Sequence, residues 1–320
     1  MDDLFIVDAH EDIAFHLDYF ERDFVNPEIP CMITLPGLNE AGIRLVFNTI
    51  FVHPKHRPDH TVEKARAQVQ VYEDIYDKFG DKVTRILDKS DLESLLNNNK
   101  IGFLTLMEGA DPIEKISDLE YYYERGLRVL GPAWNNRNRF ASGPETDTGL
   151  SDDGRKLILE MNRLGITLDL SHLNEKCFWD AIKLTELIPI ATHSNARSLT
   201  DHPRNLYDEQ LLEISGRGGV TGIVFYNSFL KTGENAPTLE DIFKHADYII
   251  ELCGEDHVGI GTDLDGGKIE EFPEEIRQIS KLPLVAEYFL EKGYSPERVK
   301  KIMGGNFLRV MKSNLGFHDP

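Results

Sequence analysis

Cysteine is scarce in this chain, with three residues, Cys31, Cys177 and Cys253, among 320. An odd number without Cys-x-x-Cys spacing argues against a disulfide framework and against a thiolate zinc site. Any metal must therefore be held by histidine and carboxylate. Long apolar runs are missing too: no stretch approaches the roughly 20 apolar residues that cross a bilayer, and Met1-Asp2-Asp3 lacks the basic segment of a secretory signal. A cytoplasmic location is the expectation. Positive charge is in deficit, since 35 Lys and Arg stand against 55 Asp and Glu for a formal net charge of -20. Such a chain repels nucleic acid phosphates and anionic membrane surfaces. Its acids are spread along the sequence instead of forming a tail, so the charge reads as a solubility property.

What is present is a globular composition, 41% hydrophobic, in a length that suits one large domain or two small ones. Apolar, β-branched runs alternate with helical patterns. The expected strands are Leu4–Val7, Ile43–Phe51, Ile101–Met107, Leu127–Leu130, Gly165–His172, Ile188–Thr192, Gly219–Tyr226 and His257–Asp263. Between them the apolar spacing predicts helices over 14–20, 61–79, 119–125, 154–164, 241–253, 282–292 and 296–303. The prolines at 27 and 30 make 26–30 a loop, and 143–149 is another. No low-complexity segment or linker appears, so residues 1–320 are read as a single domain. Eight strands alternating with helices imply a parallel sheet with right-handed crossovers, most economically closed as an α/β barrel of the (β/α)8 TIM type. An open doubly wound sheet stays open as the alternative.

The first strand is the one on which the rest depends. Leu4 to Val7 reads as a strand covered on both faces, and it runs into Asp8-Ala9-His10-Glu11-Asp12. Side chains alternate along a strand, so His10 and Asp12 can converge on one point while Glu11 faces elsewhere. An imidazole and a carboxylate aimed together suit a divalent metal such as zinc. Glu108, His172, His193 and Asp263 also fall at strand ends, where a barrel places its chemistry. Each has an ordinary explanation alone: His172 beside Ser171 as a capping neighbour, His193 as a structural histidine, Asp263 after a Gly-x-Gly pair. Glu108 is the least ordinary, because a carboxylate closing an apolar strand is costly to bury uncompensated. Coincidence is a poor account of the set. Three imidazoles and three carboxylates exceed the shell of one catalytic zinc, and two metals sharing a carboxylate fit better. His53, His56 and His60 lie in a proline-containing loop and are expected to be solvated.

These segments resemble the membrane dipeptidase (renal dipeptidase) family of zinc-dependent metallopeptidases, which are barrels of the metal-dependent hydrolase type. The pieces that carry the resemblance run through nearly the whole chain: Asp8-Ala9-His10-Glu11-Asp12, Met107-Glu108-Gly109, Asp169-Leu170-Ser171-His172, Thr192-His193-Ser194, His202-Pro203-Arg204-Asn205, Gly261-Thr262-Asp263-Leu264-Asp265-Gly266 and Gly305-Asn306-Phe307-Leu308-Arg309-Val310. The resemblance implies two zinc ions, one held by His10 and Asp12, the other by His172 and His193, with Glu108 bridging. It also implies that Arg204 binds the free carboxylate of a dipeptide and that Asp263 carries a proton to the leaving amine after a metal-bridged hydroxide attacks the scissile carbonyl. A guanidinium fork suits that carboxylate; without the resemblance, Arg204 reads as a surface residue beside Asp201 and Asp208.

One position departs from the family. Trp134 aligns where many members carry a histidine thought to steady the carbonyl oxygen. Asn135, Asn136, Arg137 and Asn138 offer donors in its place, and Asn135 is the candidate for substrate contact. Two rivals stay open, an amidohydrolase acting on another amide, lactone or phosphoester, and a catalytically idle metal-binding protein of the same fold. The expected partner is a small dipeptide, with no nucleic acid and no membrane, and a homodimer is the assembly to test.

Overall fold

The first strand, β1, spans Ile6–Glu11 and is buried at every position. In this computed structural model, which describes residues 4–27, 31–233 and 236–318, the strand therefore runs through the expected ligands instead of stopping at Val7. The remaining strands are β2 (Ile43–Phe51), β3 (Val83–Arg85), β4 (Ile101–Phe103), β5 (Thr105–Glu108), β6 (Leu127–Gly131), β7 (Thr167–Leu168), β8 (Ile190–Ala191), β9 (Val220–Ile223) and β10 (Val258–Ile260). Every pairing between them is parallel.

Pairing orders the strands as β3-β4-β2-β5-β6-β7, with β1 on β2, and as β10-β9-β8. Two seams join these sheets into a ring. Asp169 bridges to Ile190, carrying β7 onto β8. At the other seam, Asp263 N donates to His10 O at 3.3 Å and Thr262 N to Asp8 Oδ1 at 2.8 Å, which ties the end of β10 to β1. β4 and β5 occupy one place in the ring. Both pair with β2, at Leu45–Val46 and Thr49–Phe51 respectively, so the expected third strand is a single strand interrupted at Leu104. The architecture is a (β/α)8-type barrel, with β3 added outside it on β4.

Local signals explain the returns between strands. The helix Asp152–Leu164 starts where Ser151 accepts a hydrogen bond from Gly154 N and stops at Gly165, whose φ of 74° is left-handed; the chain then enters β7 directly. Asn174 caps Glu175–Ile182 in the same way through Cys177 N. Helices Leu35–Glu40, Lys89–Leu96, Glu175–Ile182, Asp208–Gly216 and Asn306–Asn314 add to those expected. The expected helix over 296–303 is a short α-helix, Pro296–Lys300, followed by a π-turn at Lys301–Gly305. Of the loop 26–30, residues 28–30 lie outside the described residues, as do Met1-Asp2-Asp3.

Alternation along β1 decides what faces where. Val7 and Ala9 pack with Leu45, Phe47, Phe307 and Met311, whereas Ile6 joins the larger apolar cluster; Asp8 and His10 face away from Val7 and Ala9. Among the described residues no helix is long and apolar enough to cross a membrane.

Candidate metal centre

Four strand ends deliver the centre. His10 and Asp12 close β1, Glu108 closes β5, His172 follows β7, and His193 follows β8; Asp263 comes after β10. Glu108 Oε1 lies 3.6 Å from His10 Nε2, 2.8 Å from His172 Nε2 and 3.4 Å from His193 Nε2. His172 Nε2 and His193 Nε2 are 2.9 Å apart. Two ligands on one zinc, each bonded at about 2.0 Å, would stand about 3.3 Å from one another in a tetrahedral shell. The observed spacings bracket that value.

Among the described residues three groups of three have ligand atoms close enough for a common ion: Glu108 with His172 and His193, His10 with Asp12 and Asp263, and His10 with Asp169 and His193. Asp263, expected to carry protons, thus also stands at ligand distance, with Oδ1 4.0 Å from His10 Nε2. His10 Nδ1, His10 Nε2 and Asp12 Oδ1 are buried without a hydrogen-bond partner.

Electrostatics favour a cation here. Burial drives the His10 imidazole down to about 3, helped by the Arg204 guanidinium. The same burial holds His172 and His193 well below the ordinary imidazole value. All three are neutral, with lone pairs available. Burial, then the repulsion of Asp263 and Asp265, pushes Asp12 well above the carboxylate range. Glu108 is raised by burial and by Asp12 and Asp263, and burial brings Asp263 up to about 7 against the pull of Arg204. Crowded acids among neutral imidazoles form a donor set that divalent metal would satisfy.

The backbone is shaped for the site. His172 and Asp263 both adopt left-handed φ, 43° and 58°, as does Glu21 outside the site; few non-glycine residues take this conformation. A Cβ on Gly266 would lie 1.9 Å from Asp263 Oδ1, so glycine there leaves room for that carboxylate. Behind the ligands, Asn135 Oδ1 sits 2.9 Å from His172 Nδ1. Asn135, expected to contact substrate, therefore meets the rear nitrogen of His172 while also lining the pocket.

The pocket above the centre has a volume of about 670 Å³, and its apolar lining comes from Phe51, Trp134, Pro144, Pro203, Tyr226 and Phe229. Trp134 packs on Phe51, with ring centroids 5.2 Å apart, and tilts over His172 at 6.1 Å. Arg204 is no surface residue; it is 5% exposed. Its Nη2 donates to His193 O at 3.1 Å while Nε has no partner, and burial lowers the guanidinium to about 10. His53 and His60 are exposed, as expected, whereas His56 is half-buried with Nε2 shielded by its neighbours; all three stand outside these groups. Sequence reasoning missed Phe51, Tyr226, Phe229 and the buried Asp169–Thr192 and Asp8–Thr262 pairs; among these, only the Asp ahead of a His in each motif hinted at a role.

A family model described as membrane dipeptidase (peptidase family M19) matches residues 1–315. The chain belongs to this family. With membership comes the activity class, that of a metallo-dipeptidase. An uncharacterised dipeptidase of Schizosaccharomyces pombe is 30% identical over 335 residues, covering 96% of this chain and 80% of its own length. The crystal structure of the dipeptidase AC, a metallo peptidase of family M19, superposes with a TM-score of 0.91 at 29% identity, covering 98% of this chain and 99% of that one. A metallo peptidase from Rhodobacter sphaeroides, solved with a phosphinate mimic of the dipeptide L-Ala-D-Ala, gives 0.89 at 28% identity over 97% and 99% of the two chains.

Proposed function

We propose that the chain hydrolyses dipeptides with two zinc ions, one held by His10, Asp12 and Glu108, the other by Glu108, His172 and His193. The observation that carries this reading is the convergence of three imidazole nitrogens on Glu108 Oε1 within 3.6 Å, at the floor of a pocket that also holds a buried guanidinium. Bound zinc would supply an acidified water and a Lewis acid for the carbonyl. The chain's own residues do the rest. Arg204, with Nε free, pairs with the substrate's carboxylate and sets its register. Asp263, lining the pocket beside His10, is placed to take up a proton and release it to the departing amine. The aromatic wall of Phe51 and Trp134 excludes water and presents an apolar face to a substrate side chain.

The test is elemental analysis coupled to a dipeptide panel. About two divalent ions per chain and hydrolysis abolished by chelation are expected. Arg204→Ala should cost substrates with a free C-terminal carboxylate about 2 to 5 kcal/mol in kcat/KM while sparing amidated ones. One ion with full activity, or equal losses on both substrate types, rejects the respective assignment.

A further inference from the structure

Below His193 lies a chain of short contacts that the reaction does not itself use. Thr192 Oγ1 is 2.6 Å from Asp169 Oδ2 and 2.8 Å from His193 Nδ1. All three residues are buried. Asp169 Oδ1 is occupied separately, accepting from Ser171 N at 3.0 Å and Thr192 N at 2.9 Å. The hydroxyl of Thr192 has a single proton to give. Ser171 Oγ is a competing acceptor but sits 3.2 Å away and already accepts from His193 N at 3.1 Å. The Asp169 oxygen is nearer, and although burial works against the charge, the backbone N–H donors of Ser171 and Thr192 favour the ionised form, so the proton goes to Asp169.

We infer that Asp169 and Thr192 are positioning residues that fix the tautomer of His193. With its proton committed to Asp169, Thr192 Oγ1 can only accept from His193, so Nδ1 carries the imidazole hydrogen. Nε2 is then left as a bare lone pair aimed at Glu108 and His172. The position of Thr192 is itself enforced. Its carbonyl oxygen points between two glycines, Gly222 on β9 and Gly261 just past β10, and a Cβ on either would lie 2.0 Å or 1.9 Å from it. The clamp fixes the Thr192 backbone, and the 2.6 Å contact to Asp169 Oδ2 then holds the hydroxyl.

The inference rests on reading His193 as a metal ligand, and it makes an unusual forecast for Asp169→Asn. Because two backbone N–H groups point at Oδ1, the amide must place its oxygen there and its NH2 where Oδ2 stood. The NH2 then donates to Thr192, the Thr192 hydroxyl turns to donate to His193 Nδ1, and the imidazole hydrogen moves to Nε2. A near-isosteric change would thereby reverse the whole chain.

The tautomer is read by histidine side-chain 15N NMR on chelator-stripped full-length protein, with the His193 signal assigned by its loss in His193→Gln. Zn2+ affinity is read by competition with a chromophoric chelator. Wild type should show the Nδ1–H form, Asp169→Asn the Nε2–H form, and Thr192→Val a mixture. Zn2+ affinity of one site should fall by about 10- to 100-fold in both variants, with Thr192→Ser restoring tautomer and affinity. An Nε2–H form in the wild type overturns the inference whether or not any variant folds. So does an unchanged tautomer in folded Asp169→Asn or Thr192→Val, which would leave the pair as struts. Wild-type protein that shows Nδ1–H yet takes up no Zn2+ would instead defeat the metal-site reading while leaving the hydrogen-bond chain intact.

Discussion

Asp263 carries two opposed readings that differ in a single measurable respect. Its carboxylate sits at ligand distance from His10 and is lifted to about 7 by burial. As a proton carrier, Asp263→Asn should keep the fold and the metals but lower kcat by about 100-fold or more, with a smaller loss on activated amides whose leaving groups need no proton. As a ligand, the same change should lower metal content and slow every substrate alike. Gly266→Ala is the companion variant. Its Cβ would displace the Asp263 side chain without touching charge or backbone, so it should reproduce the leaving-group dependence if proton transfer is the role. At this scale the sequence was informative for polar side chains that have no business at the end of an apolar strand, such as Glu108. It was silent on His172 and Asp263 adopting left-handed backbone, and on Arg204 being buried, because local context suggested a solvated loop. The link from Asp169 to Thr192 spans 23 residues, and no local pattern announces a contact of that range.

Elements were legible in proportion to how far their own residues decide them. Ile43–Phe51 and Thr61–Phe79 came out with the expected bounds, since each is long and strongly patterned. The strands of the second half are shorter than their apolar runs: only Thr167–Leu168 and Ile190–Ala191 meet ladder geometry at β7 and β8. There the chain bends early to bring His172 and His193 inward, and composition cannot register a bend. β3 has three residues, one an arginine, and exists because β4 offers it an edge. The tight approach of β9 to the end of β8 gives an element-level test. Gly222→Ala would force a methyl group to 2.0 Å from Thr192 O, a backbone atom that cannot rotate away. The expected cost is about 3 kcal/mol, at the upper end of overpacking penalties, read as a lower denaturation midpoint together with weakened metal binding through His193. Gly216→Ala, where nothing lies within 4 Å, is the control and should be near neutral. Equal midpoints for the two variants would reject the clamp.

For the molecule as a whole, the decisive quantity is the balance of buried charge. Burial raises seven carboxyls, those of Asp8, Glu11, Asp12, Glu108, Asp169, Asp263 and Asp265. It lowers seven imidazoles, the deeply buried His10, His172, His193 and His245 and, nearer the surface, His53, His56 and His202. The two sets act with opposite sign. A raised carboxyl keeps in the native chain a proton that the unfolded chain has released, so between the ordinary value of 3.8 and about 7 for Asp263, stability falls as pH rises. A lowered imidazole is neutral in the native chain while the unfolded one takes up a proton, so between about 3 and 6.5 for His10 stability rises with pH. The imidazole contribution is complete once pH passes 6.5, whereas Asp263 titrates beyond it. Metal-free protein should therefore lose stability as pH rises from about 6.5 through about 7. Zinc opposes that loss, because it needs ionised carboxylates and neutral imidazoles and stabilises by about 4 kcal/mol when present at a thousand times its Kd. The rise in Tm on adding Zn2+ to chelator-stripped protein should accordingly be larger at about pH 7.5 than at about pH 5.5. Calorimetry at both values checks it, and an equal rise at the two would mean that the buried acids are compensated by something other than metal.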